Sequence, residues 1–260
     1  MTRITLAICL AVFSLSCAFG APLPFKLKEK VSYSIDGIVK EMRIKGTLGS
    51  IDLEIADISK MNGRIVYHCI AKIASTMLIQ NVFQINDVLD AWVDAKTYAV
   101  YKSTLSIREG KNTNFITQMI DNKSDTITHT DKNNPKGIQY KKPKGAFAPV
   151  AFFYFLRSQK SMSPGTYTVF QYTDSKVLNL SFAGGSDIKV DALDKKNKIK
   201  TVTAKESGTF GVSVLLARDF DFLPVLMNSF AIEYQKNHFV IQGKLTGYTP
   251  GTPVDETSVK

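Results

Sequence analysis

Three aspartates, Asp87, Asp90 and Asp94, surround the single tryptophan, Trp92, and form an acidic cluster whose side chains could do acid–base chemistry. Paired carboxylates can move protons or hold a cation. On an extended strand, though, side chains alternate, so Asp90 and Asp94 share a face with Trp92 while Asp87 points the other way. The run Val93-Asp94-Ala95-Lys96 reads more simply as a strand passing into a turn, with the aspartates shaping strand ends and Trp92 in the core. The histidines, His68, His129 and His238, lie in three separate segments without metal-ligand spacing, and no cysteine pair joins them. No G-x-S-x-G elbow, phosphate-cradling loop or dinucleotide fingerprint occurs, and Gly184-Gly185 reads as a turn. No catalytic residue, metal ligand or cofactor is therefore assigned.

The thiols carry information about compartment. Arg3, the apolar run Ile4–Leu15 and the small residues of Ala18-Phe19-Gly20 have the layout of a secretory signal at residues 1–20, cut before Ala21. That run is too short to cross a bilayer, which takes about 20 apolar residues. Cys9 and Cys17 then leave with the signal, and Cys69 is the thiol that remains. The alternative is a lipid anchor at Cys17, which Ser16 suits and Ser14 does not. A lone cysteine makes no internal disulfide, and alternation with Ile65, Tyr67, Ala71 and Ile73 places Cys69 in a core. The expected location is the periplasm or envelope, in soluble form. Residues 1–20 hold one of the 33 basic residues and none of the 23 acidic ones, so the remainder stays strongly cationic.

The elements that must position these groups follow a period of two. Val31, Tyr33 and Ile35 alternate with polar residues, as do Ile51, Leu53 and Ile55, and similar runs recur to Leu245. Met61-Asn62-Gly63 is hairpin chemistry, because Asn-Gly readily takes positive φ. Turns at intervals of about 8–12 residues predict an antiparallel β protein. One segment departs: Pro149 opens and Arg157 to Lys160 closes a run lacking alternation, which predicts one helix of about three turns near 149–159. The polar stretch near 122–146 reads as a long loop or weak hairpin, in a single domain at 21–247 that it divides into two β-rich halves. Residues 248–260, with Pro250, Gly251 and Pro253, read as a flexible tail.

The helix is apolar nearly all round, so it must be covered on several sides or lie across an open sheet. Phe152, Phe153 and Phe155 exceed what one buried stripe needs, and are the candidate lining of an apolar ligand cavity. Lysines thicken before the helix (Lys141, Lys142) and at a hairpin (Lys195, Lys196), where they would meet anionic headgroups or envelope polymers. Aromatic residues are not interleaved with them, so nucleic acid is not an expected partner.

Several segments together resemble the bacterial exported proteins of domain-of-unknown-function family 3108. These are Glu29-Lys30-Val31-Ser32-Tyr33-Ser34-Ile35, Ile85 to Asp94, Ala151-Phe152-Phe153-Tyr154-Phe155-Leu156-Arg157, and Leu223-Pro224-Val225. Where family members usually carry an Asp before the helix, this chain has Ala148-Pro149. The resemblance implies an envelope location and a mainly β fold, a large curved antiparallel sheet or open barrel-like structure with one substantial helix; it carries no catalytic residue. The leading function is a non-enzymatic protein holding a lipid or lipoprotein acyl chain. The alternatives are an envelope interaction or scaffold protein, and an envelope-polymer hydrolase.

Overall fold

The computed structural model describes residues 23–81, 84–171, 174–208, 211–234 and 237–260. The segment expected to be a signal, residues 1–20 with Cys9 and Cys17, lies outside the described residues. The elements run β1 (Lys30–Val39), β2 (Ile44–Met61), β3 (Arg64–Ser75), α1 (Met77–Gln80), β4 (Asn86–Asp94), β5 (Val100–Glu109), β6 (Asn112–Asp121), β7 (Thr126–Thr130) and β8 (Ile138–Lys141). Then come α2 (Pro149–Arg157), β9 (Gly165–Gln171), β10 (Asp174–Gly184), β11 (Ile188–Val190), β12 (Asp194–Ile199), β13 (Thr201–Glu206), β14 (Ser213–Ala217), β15 (Leu223–Tyr234) and β16 (Asn237–Thr249).

Fourteen strands form one sheet in the order β8-β7-β6-β5-β4-β3-β2-β1-β16-β15-β14-β13-β10-β9, every pair antiparallel. The first strand pairs with the last, so the middle of the sheet is made by the two ends of the chain. The polar stretch near 122–146 supplies β7, β8 and the approach to α2, and one sheet runs through both halves. The sheet curls without closing. Phe147, on the chain leaving edge strand β8, instead forms a parallel bridge to Val169 of the other edge strand, β9. Its N–H donates to the Thr168 carbonyl at 2.9 Å, and its own carbonyl accepts from Phe170 N–H at 2.9 Å. That bridge satisfies part of an otherwise exposed edge.

Period two sets the faces. Leu53 and Ile55 of β2, Tyr67, Cys69 and Ala71 of β3, and Ala91 and Val93 of β4 turn inward to a common core. The β2–β3 turn behaves as its residues require: Asn62 has φ 52° and Gly63 φ 75°. Helix α2 crosses the concave face. Ala148 is extended before it, Pro149 takes the first turn where its missing N–H is no loss, and Val150, Ala151, Tyr154 and Arg157 form the buried face.

Two expectations need correction. Residues after Thr249 are not a flexible tail: Thr252 bridges Leu27, Leu23 N–H donates to Val254 O, and Lys60 N–H donates to Lys260 O. Val259 is buried, and Gly251 at φ 66° makes the bend that brings this segment back across the sheet. Trp92 is not core. It lies on the outer face of β4, stacked on His68 at 4.4 Å with Lys102 Nζ 4.6 Å above the ring.

Candidate functional site

The curled sheet has two unlike ends. At the end where β1 begins and β16 finishes, the chain packs a stopper. Residues before β1 cross it, the C-terminal segment covers it, and α2 runs down into it. A buried ion pair locks the pieces together. Arg157 Nη1 and Nη2 donate to the two carboxylate oxygens of Glu29 at 2.6 and 3.2 Å. The exposures of the two side chains are 0% and 3%. Three aromatic rings enclose the guanidinium: Phe25 at 4.9 Å, Phe153 at 5.3 Å and Tyr154 at 5.7 Å. Tyr248 Oη reaches Glu29 at 3.5 Å, and Tyr33 Oη donates to Pro224 O at 3.0 Å. Three of the four segments carrying the family resemblance, Glu29–Ile35, Ala151–Arg157 and Leu223–Val225, thus meet at one place.

This cluster is not poised for proton chemistry. Burial works against the Arg157 charge, but the Glu29 carboxylate outweighs it and holds the guanidinium above its ordinary range. Burial also pushes the Tyr33, Tyr154 and Cys69 hydroxyls and thiol up. Cys69, fully buried, is therefore a core thiol and not a nucleophile. The aspartates serve local structure. Asp94 accepts N–H bonds from Lys96 and Thr97 at 3.0 and 2.8 Å and the Tyr101 hydroxyl at 2.9 Å. Asp90 pairs with His68 at 2.8 Å, and Asp87 accepts from Arg108 N–H at 2.7 Å. Among the described residues no three His, Cys, Asp or Glu side chains are grouped to hold a metal.

The space lies on the concave face beyond the stopper. A cavity of about 120 Å³ separates the start of α2 from β3–β6, lined by Leu89, Ala91, Leu105, Ile116, Val150 and Phe170 with Asp87, Ser103 and Gln118 at its polar side. A second, about 280 Å³, lies toward the other end, walled by Ile35, Leu48, Ile51, Ile79, Phe239 and Ile241. Ile73 belongs to both linings, and it keeps 38% of its surface accessible. The two spaces adjoin along the concave face, and solvent reaches their shared wall.

The aromatic rings singled out in the sequence sit elsewhere. Phe155 stacks on Phe147 at 4.5 Å and meets Tyr98 edge-on at 6.0 Å. Phe152 packs against Tyr167 at 5.4 Å, and Phe153 against Tyr154 and Arg157. They fix the helix to the stopper and to β9, while the helix residues lining the cavity are Ala148, Pro149 and Val150. Sequence reasoning missed these because small residues at a helix start carry no pattern of their own. Of the lysines, Lys141, Lys195 and Lys196 are exposed. Lys142 is buried and paired with Asp125 at 3.2 Å, so it drops out of any cationic surface.

A family model described as a protein of unknown function (DUF3108) matches residues 31–232. The chain belongs to the DUF3108 family. Among solved structures, this DUF3108 chain is similar to a beta-barrel-like protein of domain of unknown function DUF1849 from Brucella abortus, with a TM-score of 0.52 at 10% identity. The match covers 86% of this chain and 98% of that one, and it concerns the fold. No curated protein matches.

Proposed function

We propose that this DUF3108 protein is a non-enzymatic, exported protein of the cell envelope whose curled sheet shelters an apolar ligand, a lipid or lipoprotein acyl chain. The observation that carries this reading is the pair of apolar spaces joined at Ile73, in a sheet stoppered at one end. Their sizes suit it. An apolar cavity of about 150 Å³ already takes a benzene ring, and ligand pockets run from about 300 Å³ upward. The space is sized for one hydrocarbon segment and not for a whole lipid. Orientation by a few polar groups at one side, here Asp87, Ser103 and Gln118, is the ordinary design of such sites.

The test is displacement of a fluorescent fatty-acid probe, with native mass spectrometry of protein purified from its own host. Ile73→Trp, which fills the shared wall at an accessible position, should abolish probe binding while leaving the unfolding midpoint near that of the wild type. Phe155→Ala should do the reverse, losing about 3 kcal/mol of stability with probe affinity unchanged. A wild type that binds no probe and carries no lipid from its host refutes the reading.

A further inference from the structure

The end of the sheet away from the stopper has an unusual surface. Its rim is built from the β1–β2 turn at residues 40–43, the first residues of β2, and α1. These pieces are one unit: Thr76 N–H and Oγ1 donate to Leu48 O and Thr47 O at 2.9 and 2.6 Å. Beneath them, Val39, Leu48, Ile79 and Phe239 share a small core that Ile44 joins. With Ile79 turned in, its helical neighbours must turn out. Met77 keeps 86% and Leu78 49% of its surface exposed, and Met42 at the turn keeps 39%. Cations stand among them. Lys40, Arg43 and Lys45 are exposed, and none has a carboxylate partner among the described residues. The turn's one acid, Glu41, is taken up by His238, accepting from its backbone N–H at 2.8 Å and its ring Nδ1.

Flexible apolar side chains projecting beside uncompensated cations are the combination that binds a bilayer surface: the apolar groups enter the headgroup boundary and the cations gain the anionic surface potential. Protein partners with acidic surfaces would match the cations but would leave the protruding Met77 without a pocket. We propose that this rim docks the protein on anionic lipid bilayers, with Met42, Met77 and Leu78 in the headgroup boundary and Lys40, Arg43 and Lys45 facing lipid phosphates. Ile79, on the inner side of α1, lines the larger cavity, so the docked rim stands at the mouth of the apolar space. The docking itself is separate from what that space holds. Of the exposed lysines of the sequence reading, Lys195 and Lys196 lie beside the stopper, since their hairpin joins the β10 and β13 ends at that side.

Co-sedimentation with vesicles of phosphatidylglycerol and phosphatidylethanolamine, against vesicles of phosphatidylcholine, tests the proposal with the full chain starting at Ala21. Binding should need the anionic lipid and fall with salt. Neutralising Lys40, Arg43 and Lys45 to Gln should weaken it about fivefold for each cation removed. Met77→Gln with Leu78→Gln should weaken it about tenfold, and Lys195→Gln with Lys196→Gln should not matter. All these positions are exposed, so circular dichroism should be unchanged throughout. Wild-type vesicle binding by both rim variants overturns the proposal, as does binding lost only with Lys195 and Lys196. A monomer–dimer equilibrium abolished by the Met77/Leu78 variant also overturns it, because the rim is then a self-association surface. Probe binding measured without vesicles separates the two readings. Rim-dependent vesicle binding without probe binding leaves docking standing and the apolar-ligand reading refuted, and probe binding without vesicle binding does the opposite.

Discussion

Removing the Glu29 carboxylate should be among the most damaging single changes in this protein. Arg157 is completely enclosed, its Nε has no hydrogen-bond partner among the described residues, and the Glu29 carboxylate takes both terminal nitrogens. With Glu29→Ala the guanidinium keeps only ring faces, and a cation over an aromatic ring recovers about 0.5–2 kcal/mol. Breaking a buried pair from one side costs about 3–5 kcal/mol. The complete enclosure of Arg157 puts Glu29→Ala near 4 kcal/mol, at ~2–4 °C per kcal/mol a fall of about 8–16 °C in Tm. That is a large share of the roughly 5–15 kcal/mol that holds most domains folded. Urea unfolding, followed by far-ultraviolet circular dichroism, measures it. The double change Glu29→Leu with Arg157→Leu removes both charges, and it should regain most of the loss because an apolar pair of similar volume often substitutes without cost. A surface control, Glu54→Gln, should move stability by at most about 1 kcal/mol, since Lys28 and Lys30 pair with Glu54 in solvent. If Glu29→Ala costs less than about 1 kcal/mol, or the double variant is no better than the single one, the charge is being solvated by some other route and the stopper is not held as argued.

Gly251→Ala should undock the C-terminal segment: at φ 66° a side chain is strained, and a Cβ there would stand 2.5 Å from Leu27 O. Limited proteolysis should then cut after Thr249 well before the sheet unfolds, and cutting no faster than in the wild type would refute the bend as the cause of docking. Asp94 should give an acid-sensitive contribution. Burial raises its pKa, but the N–H groups of Thr97 and Lys96 and the Tyr101 hydroxyl outweigh burial and hold it below the ordinary carboxylate value. A depressed folded pKa stabilises above the unfolded value of about 3.9 and loses that stabilisation as pH falls toward the folded one. Urea melts should show a constant gap between wild type and Asp94→Asn above about pH 5, shrinking below about pH 4; a gap that grows on acidification would reverse the argument.

Much of the fold was legible along the chain because its causes are local. Alternation at Leu53 and Ile55 and at Tyr67, Cys69 and Ala71 states which side of a strand is buried, whatever that strand pairs with. Asn62-Gly63 dictates its turn through backbone sterics alone, and Pro149 marks a helix start through the N–H it lacks. The same logic fails where a residue's surroundings come from far away in sequence. Trp92 carries the composition of a core residue, yet alternation only says that it opposes Ala91 and Val93, not which face is the inside. Lys142 reads as a surface cation until β7 and β8 bring Asp125 beside it. The tail reads as disordered from Pro250, Gly251 and Pro253, but Val254 and Val259 find apolar surface only after the first and last strands have paired. Glu29 and Arg157 stand 128 residues apart, and nothing local to either announces a partner. The sequence by itself determined most of the strands, the faces of those that alternate cleanly, the helix and the core thiol. Which end of the curled sheet is stoppered, where its empty space lies and which cations face solvent were decided by tertiary structure alone, because burial and charge pairing depend on contacts that exist only once distant segments have been brought together.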